Sequence, residues 1–143
     1  MTGTAPPPQG KYVPAKRHGD LIYVSGMTPR QNGALIYAGK ITAETDPERI
    51  RAATELATQN VISAARTQLA EGEMLIGTLS LTVYVNAEPS YTTHPKVADF
   101  ASAYLADAFE GDLPSRAAVG VASLPSDASV EVAAVMIAGR ASA

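Results

Sequence analysis

The sequence predicts an α+β fold in which one β-sheet is covered on one face by two helices. Two long stretches carry apolar residues at helical three-and-four spacing, and shorter runs around them have the composition and period of strands. A third observation is a run at residues 129–138 that is apolar on both faces, which predicts a central strand. The resulting order, β-β-α-β-α-β-β, places two helices as one layer on a sheet.

The first third of the chain predicts a leader and two short strands. Three consecutive prolines at positions 6–8 favour an extended, flexible leader over residues 1–9, ahead of a single domain at residues 10–140. Residues 21–26 form a β-rich run that ends at Gly26, and residues 34–38 form a second short run. We expect these two strands to pair as a hairpin-like start.

The first helix has a clear start signal. Asp46 can cap the helix, Pro47 suits its first turn, and Glu48 lies near the positive end of the helix dipole. Apolar residues then recur on one face over about six turns, so the helix is expected to end near Glu71 and Gly72.

The second half alternates strands with another helix. Residues 79–86 alternate apolar and polar side chains, a helical stripe runs from Pro95 to a stop before Gly111, and strands follow at 116–122 and 129–138. Four apolar side chains remain for the sheet face without helices: Val119, Val121, Val135 and Ile137. Self-association is the simplest cover for them, which predicts a homo-oligomer.

Composition excludes several classes of protein. The 143 residues are 46% hydrophobic and carry a formal net charge of −3, which argues against disorder and against a nucleic-acid partner. The absence of cysteine excludes disulfides, thiolate catalysis and zinc–thiolate sites. His18 and His94 lie far apart in the sequence, so no metal site is expected. With neither a signal-peptide pattern nor a membrane-length apolar run, we expect a cytoplasmic protein with no membrane partner.

Arg116 is a candidate for binding a carboxylate. By strand alternation its face also carries Ala118, Gly120 and Ala122, so an arginine would stand at the rim of a concavity with a floor of small side chains. A guanidinium there suits a carboxylate ligand, which it can bind through two hydrogen bonds. The alternative is a strand-end arginine that is solvated or paired with a surface acid.

Glu131 is the only charged residue in an otherwise apolar strand. Burial of a carboxylate is unfavourable without a partner, so Glu131 is a candidate general acid or base, or a residue that holds a water. Alternatively, it pairs with Arg116 or with a neighbouring subunit. Tyr12, after the leader, and Ser25, at the end of the first strand, are weaker candidates. Taken alone, Tyr12 is more typical of an exposed tyrosine on an arm, and Ser25 of a lone serine in a turn.

These segments together resemble the RidA/YjgF family of reactive enamine/imine deaminases, also described as endoribonuclease L-PSP proteins. The motifs are YVPA at 12–15, LIYVSG at 21–26, TVYVN at 82–86, PSRAAV at 114–119, ASLP at 122–125 and VEV at 130–132. Two segments, at 95–98 and 119–125, resemble the branch of the family described as chorismate-mutase-like.

The resemblance implies a homotrimer with ligand pockets between subunits and no cofactor. It places the substrate-carboxylate arginine at Arg116, with Tyr12, Ser25 and Glu131 on pocket positions. It implies hydrolysis of an enamine or imine that carries a carboxylate, giving a 2-keto acid and ammonia, with Glu131 orienting or activating the attacking water.

Three features depart from the family pattern. Ala118 stands where many deaminating members have a cysteine, and Gly120 where many carry an acid, so both changes widen the pocket floor. Residues 91–96 are longer than the usual loop and are expected to reshape the rim, which favours a substrate larger than aminoacrylate.

Three other functions compete with the deaminase. A non-catalytic binder or regulatory trimer could use the same clamp, and the family's name suggests ribonuclease activity. The acidic charge balance argues against a ribonuclease, and a chorismate mutase would need more cations than Arg116 alone.

Overall fold

The computed structural model of the chain describes residues 5–141. Its elements in chain order are β1 (Ala15–His18), β2 (Leu21–Met27), β3 (Arg30–Gln31), β4 (Ala34–Leu35), α1 (Pro47–Arg66), β5 (Glu73–Asn86), α2 (His94–Ala108), β6 (Ser115–Val121) and β7 (Val130–Arg140). A single turn of 3₁₀-helix, Pro125–Asp127, connects β6 to β7. The start of the predicted leader, residues 1–4, lies outside the described residues.

The predicted α+β architecture is confirmed. Five strands form one sheet in the order β1-β2-β7-β5-β6, in which β5 and β6 run parallel and the other neighbours are antiparallel. Strand β7 lies in the middle, as its two apolar faces predict. Helix α1 packs on β7 and β2, and α2 packs on β5 and β6, so both helices cover the same face.

Alternation along β7 divides the sheet into a helix face and an open face. Val130, Val132 and Met136 are fully buried beneath the helices, whereas the intervening Val135 and Ile137 are only partly buried on the other side. The open face also carries Tyr23, which pairs with Val135 across the strands and is 54% exposed. This apolar open face is the surface that the sequence predicts a second subunit to cover.

Helix α1 begins where the sequence indicates and ends earlier. The Asp46 carboxylate accepts a hydrogen bond from the amide of Glu48 at 3.0 Å and so caps the first turn. The predicted end near Glu71 is wrong, because the helix ends at Arg66. The hydroxyl of Thr67 donates to the carbonyl of Ala64 at 2.6 Å, and the chain continues in turns.

The predicted hairpin of residues 21–26 with 34–38 is also wrong. Strand β2 pairs instead with β1 and β7, while β4 pairs with β3 in a separate two-stranded ribbon. Strand β1 has the sequence AKRH and lies at the sheet edge, where exposed polar side chains obscure the alternation that marks a strand.

Strand β5 begins at Glu73, six residues before the start that alternation indicates. Its register against β7 shifts twice, between Leu75 and Gly77 and between Thr78 and Ser80. Each irregularity changes which face the next side chain takes, so the period-two pattern becomes regular only from Ser80 onward. Leu79 lies within the second irregularity and is 50% exposed, so it does not join Leu81 on the core face as the alternation predicts.

Within residues 5–141, neither helix has the length and apolar character that a membrane span requires.

Candidate functional site

Glu131 lies on the open face, directly against the backbone of Gly26. A Cβ placed on Gly26 would be 2.3 Å from the Glu131 Oε2 atom, so the carboxylate occupies space that only a glycine leaves free. Across the sheet Glu131 pairs in register with Tyr84 of β5. The close approach fixes the carboxylate beside the end of β2, where Ser25 also lies.

The Glu131 carboxylate is half-buried and has no hydrogen-bond or ion-pair partner within the part of the chain that the structure describes. Burial raises the pKa of Glu131 above its ordinary value, because the charged form loses hydration that no protein group replaces. A carboxyl group in this state takes up and releases a proton nearer to neutral pH than a solvated one does.

Ser25 adjoins Gly26 in β2, and Tyr12 lines a hollow together with Gly26. The hydroxyl of Ser25 donates to the carbonyl of Val13 at 2.7 Å, which ties the segment before β1 to β2. Tyr12 is 47% exposed, and its hydroxyl accepts a hydrogen bond from the amide of Gln9 at 3.1 Å. Tyr12 and Gly26 line the same shallow hollow of about 30 Å³, which has room for about one water molecule. We call Tyr12, Ser25, Gly26 and Glu131 the Glu131 cluster.

Arg116 lies on the helix face of the edge strand β6 and is held by α2. Its Nη1 donates to the Asp99 carboxylate at 2.7 Å and to the Ser102 hydroxyl at 3.0 Å, and its Nη2 donates to the carbonyl of Pro95 at 3.3 Å. The arginine is therefore paired with a surface acid, the alternative that its strand-end position left open. The Asp99 side chain is 69% exposed, so solvent weakens this ion pair.

The guanidinium keeps donors for a ligand. Its Nε–H and one N–H of Nη2 make no hydrogen bond to any of residues 5–141. These two nitrogens form one edge of the guanidinium, which is the geometry that binds both oxygens of a carboxylate. Asp99 does not use this edge, because its carboxylate accepts from Nη1.

The small-residue floor beside Arg116 is not an open concavity. Ala118 is partly buried against the core, and the imidazole of His94 lies over Gly120. A Cβ on Gly120 would be 2.2 Å from His94 Nε2, so any other residue there would force the ring away. Helix α2 starts at His94 and thereby fills the space that the sequence pattern left empty. We call Arg116, Asp99, Gly120 and His94 the Arg116 cluster.

The two clusters lie on opposite faces of the sheet. Arg116 pairs in register with Leu81, which is buried under the helices, whereas Glu131 pairs with Tyr84 on the open face. Strand β5 lies between β7 and β6, so these two strands are about 10 Å apart within the sheet. The side chains of Arg116 and Glu131 are further separated because they project from opposite faces. One chain therefore does not bring Arg116 and Glu131 together on a single ligand.

The described residues contain no group of three or more His, Asp or Glu side chains placed to hold a metal ion.

Comparison with known proteins supplies the family. The family model for endoribonuclease L-PSP matches residues 2–138 of this chain. The chain belongs to the endoribonuclease L-PSP family, also called the YjgF/RidA family. The resemblance drawn from the motifs is thereby confirmed.

Relatives in the L-PSP family include proteins of differing description. Protein TCP17 of Trypanosoma cruzi is 31% identical over 131 residues, covering 90% of this chain and 82% of that protein. A solved structure of a protein of unknown function from Agrobacterium tumefaciens is 32% identical, has a TM-score of 0.78, and covers 88% of this chain and 82% of its own. A Shewanella oneidensis protein described as a candidate endoribonuclease is 25% identical, with a TM-score of 0.83 and coverage of 94% and 90%.

Sequence reasoning missed two members of the Arg116 cluster and the role of one glycine. Asp99 is an unremarkable acid on the exposed side of α2, and nothing in the spacing connects it to a strand that begins after the helix ends. The sequence gives His94 no spacing typical of a metal ligand or a catalytic triad, and nothing in it predicts that the ring lies over Gly120. The approach of Glu131 to Gly26 depends on the β2–β7 register, which shifts between Val24 and Met27.

Proposed function

We propose that this chain hydrolyses reactive enamine or imine intermediates that carry a carboxylate, producing a 2-keto acid and ammonia. The observation that carries the proposal is the unpaired, half-buried Glu131 carboxylate fixed against Gly26. Membership of the L-PSP family and the free guanidinium edge of Arg116 support it.

Arg116 binds the substrate in this proposal. The Nε and Nη2 edge donates to the carboxylate next to the C=N bond, while Asp99 and Ser102 hold the guanidinium in place from the other side. Fixing the carboxylate orients the imine carbon toward one face, which is the contribution that positioning makes to the rate.

Glu131 handles the proton of the attacking water. An enamine first takes a proton on carbon and loses one from nitrogen to become the imine, and the water oxygen then forms a bond to the imine carbon. Glu131 accepts the proton that this water loses, and the imine nitrogen gains a proton from solvent, giving a carbinolamine. Glu131 returns its proton to the amine as the C–N bond breaks, the hydroxyl loses its proton to solvent as the C=O bond forms, and ammonia leaves the 2-keto acid, so no oxidant or cofactor is consumed.

A site built from both residues requires two chains, since each chain holds them on opposite sheet faces. The Arg116 cluster lies at the β6 edge of the sheet, and the Glu131 cluster lies toward the β1–β2 side. A head-to-tail ring brings unlike edges together, and the homotrimer that we propose is such a ring. It would also cover the apolar open face that carries Tyr23, Val135 and Ile137.

A coupled assay tests the proposal. A dehydratase generates 2-aminoacrylate or 2-iminobutyrate in situ, and imine loss is followed with wild type, Arg116→Ala and the charge-matched control Arg51→Ala. Arg51 forms an exposed ion pair with Glu48 on α1, away from both clusters. We expect acceleration by wild type and by the control, and none by Arg116→Ala. Equal rates with and without wild-type protein would contradict the proposal.

The bonding of Arg116 favours a second candidate, a non-catalytic carboxylate binder or regulatory oligomer. Three of its hydrogen bonds go to α2, which makes the guanidinium a preformed clamp whether or not chemistry follows. A binder would show a thermal shift with 2-keto acids that is lost in Arg116→Ala, but no acceleration of imine loss.

A further inference from the structure

The imidazole of His94 has an unusual position on the helix face of β6. It lies over Gly120, where an added Cβ would be only 2.2 Å from the His94 Nε2 atom. The ring of Tyr91 packs edge-on against the imidazole, with 5.5 Å between the two ring centroids. Neither ring nitrogen has a hydrogen-bond partner among residues 5–141. A partly buried imidazole held in place, with both nitrogens free, is available to a ligand.

His94 and Arg116 lie at the same end of α2, where a single ligand can contact both. The Arg116 Nη2 atom lies 3.3 Å from the carbonyl oxygen of Pro95, the residue that follows His94. Both residues therefore lie at the first turn of α2, and Gly120, which the His94 ring covers, is on the same face of β6 as Arg116. A ligand whose carboxylate binds Arg116 extends along the strand toward the imidazole.

The free N–H of the His94 imidazole suits an acceptor such as a carboxylate oxygen. Lys40 lies beyond that end of β6, where its ammonium donates to the carbonyl of Ala122 and, at 3.1 Å, to Asn86 Oδ1. The same Asn86 donates to the Asp127 carboxylate at 3.1 Å, and Asp99 pairs with Arg116 at the other end. His94 is therefore the side chain between them that has no hydrogen-bond or ion-pair partner among residues 5–141.

We propose that His94, in the space that Gly120 leaves, binds a second carboxylate of the ligand, so that the site prefers dicarboxylic keto and imino acids. This inference rests on the proposed function for the role of Arg116 as the clamp of the first carboxylate. It identifies His94 as the residue that determines specificity.

Binding of stable products tests the preference without requiring turnover. The probes are 2-oxoglutarate, with two carboxylates, and 2-oxobutyrate, with one, each titrated by calorimetry into the full-length protein. We expect 2-oxoglutarate to bind about tenfold more tightly, the size of one hydrogen bond to a charged group. His94→Ala should abolish the preference by weakening the binding of 2-oxoglutarate about tenfold, while His94→Gln should retain part of the preference.

Two further variants make the outcome specific. Gly120→Ala keeps the imidazole but forces it from its place, so it should lose the preference like His94→Ala. His18→Ala removes the exposed histidine of β1 and serves as the matched control that keeps the preference. Melting temperatures of all variants show that each is folded.

Equal affinities of wild type for the two acids, or a preference that survives His94→Ala, would overturn the inference. Failure of the proposed function is a separate result, because it would appear as no acceleration of imine loss while the binding preference remains.

Discussion

Gly26→Ala should inactivate the protein by moving one carboxylate. The added Cβ would be 2.3 Å from Glu131 Oε2 and 2.7 Å from its Cδ, whereas ordinary van der Waals contact begins at 3.4 Å. The carboxylate must therefore move by about 1 Å. The φ angle of Gly26 is not positive, so alanine can adopt the same backbone conformation at this position. A displacement of this size at a catalytic group reduces kcat/KM about 100-fold.

The assay is imine loss under the coupled conditions, with the effect divided between kcat and KM. Because Arg116 is untouched, we expect kcat to fall and KM to change little. Gly26→Ala combined with Glu131→Gln should be no worse than Glu131→Gln alone, since both changes act through one carboxylate.

Gly139→Ala is the matched control. Its Cβ would be 3.0 Å from the Ile76 side chain and far from either cluster, so activity should be retained. Activity of Gly26→Ala within about twofold of wild type, while Glu131→Gln is inactive, would refute the reasoning.

Three other predictions concern stability and assembly. Since burial raises the pKa of Glu131, the wild type loses stability relative to Glu131→Gln as pH rises above 4.5, and chemical denaturation at a series of pH values should show that difference widening. The hydrogen bonds from Arg17 lower the pKa of Glu73 to about 2, so the stability that this pair contributes is present above pH 4.5 and is lost as the pH falls toward 2. Glu73→Gln should therefore reduce the fall in the free energy of unfolding between pH 4.5 and 2, and an unchanged fall would contradict this prediction. Ile137→Asp places a charge on the open face and should shift the mass measured by light scattering from oligomer to monomer, whereas an unchanged mass would show that this face is not the interface.

The parts of the fold that follow from local pattern were predictable from the sequence. Helix α1 could be located because Asp46 and Pro47 provide a start signal and its apolar face is regular. The central position of β7 was predictable from its two apolar faces, because a strand that is apolar on both faces is typical of the interior of a sheet.

The parts that depend on pairing were not predictable. The AKRH sequence of β1 has no apolar alternation, and the irregularities of β5 mask its first residues, so neither signals a strand until its partner is known. For the same reason the sequence indicated Arg116 and Glu131 as candidates without showing that they lie on opposite faces. That separation depends on the register of β6 against β5 and of β5 against β7.

Asp99 and His94 illustrate a further limit. Both belong to α2, and both acquire a role only because that helix crosses over β6. Sequence spacing between a helix and a later strand carries no information about which side chains meet.

The most direct test of a site shared between chains is subunit mixing. Arg116→Ala and Glu131→Gln, each inactive alone, are unfolded together in equal amounts and refolded, and imine loss is compared with that of refolded wild type. In a randomly mixed trimeric ring, about a quarter of the interfaces combine an intact Arg116 from one chain with an intact Glu131 from the next. We therefore predict recovery of about a quarter of wild-type activity. A mixture no more active than the separate variants would contradict the account, because it would mean that both residues act within the same chain.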